Sequence, residues 1–265
     1  MENKKYLSDQ EVRQVEIGIL DYIDKVCREN GIKYCLDYGT LLGAIRHKGF
    51  IPWDDDIDVC MTREDYNKFI NVMQTSADPQ FKFLTADNDK EFPYEVGKVV
   101  DTRTALIETD LQTSPAMGVW VDVFPKDHLP KHHKFLRMMI FLSYSFRVFA
   151  TCTKFPTQHS KVFYPVWLIA RLFGYRFFLR VTKFWTGICN KSADSQYYAN
   201  LRDFVSKEYR WDGSFYEDIV MVDFECKKYP APRNWDAYLT GLYGDYMQLP
   251  PEDKRKRHKF VTYWR

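Results

Sequence analysis

Four carboxylates crowd five positions, Asp54, Asp55, Asp56 and Asp58, on an otherwise apolar background: Ile51, Pro52 and Trp53 precede them, and Val59 and Met61 follow. Few folds accept that much like charge beside that much apolar surface, so this stretch constrains the chain more than any other. The order Asp56-Ile57-Asp58-Val59 alternates polar and apolar, the period-two pattern of a half-buried strand. On a strand, residues i and i+2 share a face about 6.5 Å apart. Asp56 and Asp58 are therefore expected on one side, with Ile57 and Val59 in the core. Two carboxylates about 4 Å apart repel by about 4 kcal/mol at an effective dielectric near 20. Folding tolerates this when one of them takes up a proton or a cation lies between them. An all-oxygen donor set favours a hard cation, and Mg2+ or Mn2+ is the expected cofactor. A solvated acidic turn is the plainer reading of such a triplet; the flanking apolar residues weigh against it.

Upstream, Gly39-Thr40 follows a short apolar run over 32–36, and Leu41-Leu42-Gly43-Ala44-Ile45 reads as helical. A strand, a small-residue turn and a helix N-terminus present free backbone N–H groups to a phosphate. Gly-Thr followed by Asp-x-Asp on a strand is the layout of the nucleotidyltransferase superfamily. The whole stretch, GTLLGAIRHKGFIPWDDDIDV, resembles the signature of the LicD family, the bacterial phosphocholine transferases related to the fukutin-type phosphotransferases. The resemblance resumes at Gly118-Val119-Trp120-Val121-Asp122-Val123-Phe124-Pro125. It returns at Tyr243-Gly244-Asp245-Tyr246-Met247 and Pro250-Pro251, up to His258, while residues 128–225 match no block.

Candidate site residues lie along these blocks. Asp122 sits mid-strand between Val121 and Val123, where propensity disfavours it. A salt bridge or a backbone cap would account for it; the resemblance implies instead a third carboxylate joining Asp56 and Asp58, as metal ligand or as base. Gly39 and Thr40 are expected to hold donor phosphates. Arg46 is expected to neutralise phosphate charge, with pairing to Asp54 or Asp55 as the structural alternative. Lys98, on a strand, is either a phosphate contact or simply solvated. His258 lies in a basic tail, and the family pattern ends on a similar histidine, which implies a substrate contact. His47 and Trp53 are candidates for shaping the pocket.

The expected fold class is mixed α/β: a nucleotidyltransferase-like sheet flanked by helices, carrying a basic, aromatic helical appendage. Ser8-x-x-Glu11 forms a capping box, after which Val12, Val15, Ile19, Ile23 and Val26 recur at helical spacing up to Gly31. A second helix opens at 62–65 and buries Tyr66, Phe69, Ile70 and Met73. Strands are expected over 81–85, 94–100, 104–108 and 120–124, and a late helix over 235–242. The net charge of +2 conceals a partition: residues 128–193 contain 11 Lys or Arg and no Asp or Glu, while the rest carries 27 basic against 36 acidic residues. That segment is also rich in aromatics, with helices expected around 138–142 and 167–170 and breaks near Pro156 and Pro165. The chain accordingly divides into a catalytic core (1–127), a helical insertion (128–193) and a C-terminal part of the core (194–265). Basic residues interleaved with large apolar ones describe an amphipathic surface for an anionic membrane; a solvated helical face or an oligomer interface are the alternatives, and no nucleic-acid motif is present. The six cysteines show no C-x-x-C pairing and are expected as reduced thiols. The first residues, MENKKYLSDQEV, contain no apolar run, so no signal peptide is expected.

The resemblance implies transfer of a phosphocholine-type head group from a nucleotide-activated donor such as CDP-choline to a hydroxyl of a cell-surface glycan or its lipid-linked precursor. The implied location is cytoplasmic, peripheral at the inner face of the cell membrane. A nucleotidyltransferase acting on a small acceptor and a non-catalytic membrane-surface adaptor are the other classes open to the sequence.

Overall fold

The computed structural model describes residues 4–76, 78–107, 111–129, 134–156, 160–191, 197–201, 211–255 and 260–265. The fold is mixed α/β, as the family resemblance implied. The first helix, α1 (Asp9–Glu29), starts at the expected capping box: the Ser8 hydroxyl accepts from Glu11 N, and the Glu11 carboxylate accepts from Ser8 N at 2.8 Å. It stops where Gly31 turns at φ +62°. There follow β1 (Cys35–Leu36), α2 (Tyr38–His47), β2 (Asp58–Thr62), α3 (Arg63–Thr75), β3 (Phe81–Leu84), β4 (Gly97–Asp101), β5 (Thr104–Ile107) and β6 (Trp120–His128). Three helices come next: α4 (Lys134–Thr151), α5 (Tyr164–Phe173) and α6 (Tyr175–Asn190). The chain closes with β7 (Tyr197–Ala199), β8 (Trp211–Asp212), α7 (Ser214–Glu217), β9 (Ile219–Phe224), β10 (Lys227–Pro232), α8 (Trp235–Tyr243) and β11 (Val261–Trp264).

The main sheet runs β1-β2-β6-β4-β3, with β7 added to the far end of β6 and β8 beyond it. Only β2 and β6 are parallel among these neighbours, and their register sets Asp58 opposite Asp122. Antiparallel β4 sets Lys98 opposite the same Asp122. Three charged residues thus line up across three adjacent strands on one face, while Val59, Val121 and Val123 point to the other, against α1 and α3.

Several boundaries differ from expectation. The strand carrying the acidic pair starts at Asp58 rather than Asp56: pairing begins where the Ile57 carbonyl accepts from Asp122 N at 2.9 Å, and residues 52–56 arch in from a turn closed by Asp54 N and Ile51 O. β6 continues past 124 through Pro125, which is possible because β4 pairs with β6 only up to Val123, so the missing proline N–H forfeits no partner there. β10 was not legible, since Tyr229-Pro230-Ala231-Pro232 argues against a strand. Its two prolines are two residues apart, so both missing N–H groups fall on the same edge and the intervening residues still pair with β9. The expected break in the helical segment also includes Gly174, at φ +74°, between α5 and α6. These helices carry two small apolar clusters of their own, around Ile140 and Cys189 and around Ala170 and Phe178.

Candidate active site

The site is assembled at the junction of β1, α2 and β2. Asp37 N donates to the Asp58 carbonyl, and Tyr38 adopts φ +40°, an unusual turn for a tyrosine, to launch α2. Gly39 and Thr40 therefore lie in the first turn of α2. Thr40 is buried and its hydroxyl accepts from Asp58 N at 2.8 Å, which pins the start of β2. Gly39 lies directly under the Asp54 carboxylate: a Cβ there would stand 2.6 Å from Asp54 Oδ2. The acidic loop thus rests on the opening turn of α2. From the other side, the Arg13 guanidinium of α1 donates to the carbonyls of Ile51, Pro52 and Asp54, the last at 2.9 Å.

On this scaffold the carboxylates of Asp56, Asp58 and Asp122 converge, each offering an oxygen within 4.8 Å of the others; Asp54, Asp55 and Asp56 form a second such group. Asp122 is held on both oxygens: Lys98 Nζ donates to Oδ1 at 2.6 Å and Trp120 Nε1 to Oδ2 at 2.8 Å. Lys98 is itself buried, its ammonium 4.5 Å from the Trp120 ring centre. Burial, then the charges of Asp56 and Asp122, push the Asp58 carboxyl well above the usual carboxylate range. Glu16 of α1 lies beneath the loop, 2% exposed; burial and then Asp56 and Asp55 push it up likewise. Oxygen-only donors at this spacing, with a side chain strained toward its neutral form, fit a hard divalent cation.

Residues 31–167 match the family described as LicD/FKTN/FKRP, nucleotidyltransferase domain. Over 265 aligned residues, 96% of this chain and 97% of the other, the sequence is 30% identical to the lipopolysaccharide cholinephosphotransferase LicD of Haemophilus influenzae. The chain belongs to the LicD family. It is an enzyme of that family, and α2, β2 and β6, with all three converging carboxylates, fall inside the matched span. A LicD-family stretch of 44 residues is 46% identical to the ribitol 5-phosphate transferase FKRP of Homo sapiens, covering 17% of this chain and 9% of that protein. An uncharacterised protein of Rickettsia prowazekii is 28% identical over 135 residues, 48% of this chain and 47% of the other.

The remaining expected residues of this LicD-family site are spread more widely. Arg46 sits at the far end of α2, where its guanidinium donates to the Tyr246 carbonyl at 2.6 Å and to His47 Nε2 at 2.9 Å. It thereby ties α2 to the C-terminal Tyr243–Met247 block instead of pairing with Asp54 or Asp55. His47 and Trp53 meet edge to face at 6.5 Å, and Arg255 stacks 4.7 Å from the Trp53 ring centre. His258 lies outside the described residues. Four participants were not picked out from the sequence: Arg13, Glu16, Asp37 and Lys126. Asp37 and Lys126 form a buried ion pair at 2.6 Å, and the Tyr238 hydroxyl donates to Asp37. Burial is the largest single effect and opposes the Lys126 charge, but Asp37, Cys60 and Tyr216 together outweigh it and hold the ammonium above its ordinary range. A signal existed for two of them: Glu16 interrupts the apolar stripe of α1 one turn after Val12, and Lys126 follows Asp122 at strand spacing.

Proposed function

We propose that this enzyme transfers a phosphorylated head group of the phosphocholine type from a nucleotide-activated, CDP-linked donor to a hydroxyl of a cell-surface glycan or its lipid-linked precursor, working at the inner face of the membrane. The similar proteins bear the names of a lipopolysaccharide cholinephosphotransferase and a ribitol 5-phosphate transferase, which supports a small phosphate-bearing cargo and a glycan acceptor. The observation that carries the chemistry is the meeting of Asp56, Asp58 and Asp122 within 4.8 Å.

Asp56, Asp58 and Asp122 would hold Mg2+ or Mn2+. Such an ion, when bound, neutralises phosphate charge that develops as the leaving nucleotide departs. The other roles belong to the chain. Thr40 and Asp37 fix Asp58 through its backbone. Lys98 and Trp120 orient Asp122; because both of its oxygens already accept hydrogen bonds, we assign it to ligation and orientation rather than to taking the acceptor's proton. In this reading Lys98 supports the carboxylate set and reaches a donor phosphate only through it. The backbone N–H groups of the first turn of α2, at Gly39 and Thr40, face the donor phosphates beside Asp54. Residues 128–193 form an appendage to a core made of 1–127 and 194–265.

The test is a screen of CDP-linked donors with Mg2+ that measures released nucleotide. CMP release that depends on Mg2+ and falls at least about 100-fold in Asp58→Asn is expected; unchanged release in that variant refutes the assignment. Because the matched family is described as a nucleotidyltransferase domain, transfer of the nucleoside monophosphate itself is the second reading; release of the phosphorylated head group without CMP from a CDP-linked donor, or of diphosphate from a nucleoside triphosphate donor, identifies it.

A further inference from the structure

Among the described residues no single helix is long and apolar enough to cross a membrane; α5 and α6 together have the composition but meet at 86° across Gly174. Yet their outer faces are strongly apolar. Leu168, Leu172, Phe173, Phe177, Phe184 and Ile188 are all exposed, Leu172 at 83%. At 100° per residue, α6 divides into three stripes. Phe178, Thr182 and Cys189 face inward and are buried. Phe177, Phe184 and Ile188 face outward. Between these runs a third stripe, with Arg176, Arg180 and Lys183.

That third stripe lines a cavity of about 650 Å3 bounded by α3, residues 85–95, the end of β6 and α6. It is separate from the acidic site: β6 alternation puts Pro125 and Asp127, which line it, on the sheet face opposite Asp122. Its acids are already committed. Asp127 pairs with Arg63 at 2.6 Å, Glu95 with Arg147 at 2.9 Å and Asp87 with Lys183 at 2.7 Å. Among the described residues, Lys90, Arg176, Arg180 and Lys191, which also line it, have no carboxylate partner. The cavity therefore presents excess positive charge at its mouth, beside an exposed aromatic stripe on the same helix.

We propose that this groove binds the phosphate of an anionic phospholipid head group while α5 and α6 lie flat in the bilayer surface. The proposal rests on the membrane part of the function given above and supplies its contact. Geometry and charge carry it. The outward stripe of α6 enters the acyl boundary, the neighbouring cations stand at head-group depth, and the buried stripe keeps the helix on the protein. The segment 128–193, with 11 cations and no acid, is complementary to an anionic leaflet and to no neutral one.

The test is co-sedimentation of the full chain with phosphatidylcholine vesicles, with and without one-third phosphatidylglycerol, at low and high salt. Wild type should bind only the anionic vesicles and release at high salt. Arg176→Gln with Arg180→Gln should weaken partitioning about 30-fold, and Phe177→Ser with Phe184→Ser should abolish it, with thermal unfolding confirming that each variant folds. CMP release from a CDP-linked donor with a soluble acceptor should be unchanged in both. Wild type that ignores anionic vesicles, or Gln variants that bind as wild type does, overturns the proposal. Full competition by millimolar glycerol 3-phosphate identifies a soluble phosphate ligand instead and also overturns it, as does a Phe-dependent dimer without vesicle binding. Wild type that releases CMP but does not bind anionic vesicles sinks this inference alone; wild type that binds them but releases no CMP sinks the transferase reading alone.

Discussion

Asp58 shows how a single side chain reports the purpose of its surroundings. Its folded form is pushed toward protonation by burial and then by Asp56 and Asp122. A carboxyl whose folded value is raised contributes its stability in full below the ordinary carboxylate range and loses it as pH climbs through the raised value. The ion-free protein should therefore become less stable from about pH 4 upward through this group, and Glu16 adds to the same trend. A divalent ion between the carboxylates reverses the penalty only where they are ionised. Saturating Mg2+ at about 100 times its dissociation constant should raise the midpoint of thermal unfolding by about 5–10 °C at pH 8 and by much less at pH 4.5. In Asp58→Asn the pH 8 response should largely disappear. A thermal-shift titration at the two pH values decides this; an equal response at both would mean that Mg2+ binds elsewhere.

At the scale of elements, α2 and the loop that folds back over it form the unit that presents the acids. Gly43 is the contact point, since a Cβ there would overlap the Gly49 carbonyl oxygen and approach Ile51 N at 3.4 Å. Alanine is the better helix former by about 1 kcal/mol, so propensity alone says Gly43→Ala stabilises. Backbone against backbone has no rotamer to yield, so the loop must move, and we expect a net loss of about 1–3 kcal/mol together with reduced CMP release, because Asp54, Asp55 and Asp56 ride on that loop. Urea denaturation checks the sign, and an increase in stability would show the contact to be slack. Much of this unit was legible: the apolar run, the helical run after Gly-Thr and the apolar residues around Asp58 marked strand, helix and strand in order, although the second strand starts at Asp58 and leaves Asp56 on the loop. The start of α2 at Tyr38 was not, because it depends on a positive φ that no pattern in the sequence announces. The β9–β10 hairpin was not, because prolines mark a strand only once the edge they face is known.

At the scale of the molecule, distant parts of the chain meet beneath the site. The Lys126–Asp37 pair joins β6 to the β1–α2 junction, and the Tyr238 hydroxyl brings in α8 from near the C-terminus. Both members of the pair are almost wholly buried, so removing one strands the other's charge. Lys126→Met should cost about 3–5 kcal/mol, measured by chemical denaturation, and should loosen the start of α2. A loss below about 1 kcal/mol would mean that the pair is solvated in solution. The double variant Lys126→Met with Asp37→Leu should recover much of the stability, because it removes both charges. Arg46 makes a second tie of this kind, from the end of α2 to the Tyr246 carbonyl.

What the sequence determined by itself was local. Spacing by two on an apolar background put Asp56 and Asp58 together, helical periodicity placed α1 and α3, and the absence of acids over 128–193 marked the basic helices. The family resemblance had named Asp122, but only the tertiary structure showed the register that brings it beside Asp58 from 64 residues away, that Lys98 and Trp120 hold it, and that Arg13 and Glu16 lie under the loop. The reason is physical. Side-chain periodicity records which face of an element meets the core, but which strands are neighbours and in what register is set by packing between segments far apart in the chain, and a carboxylate site belongs to that register.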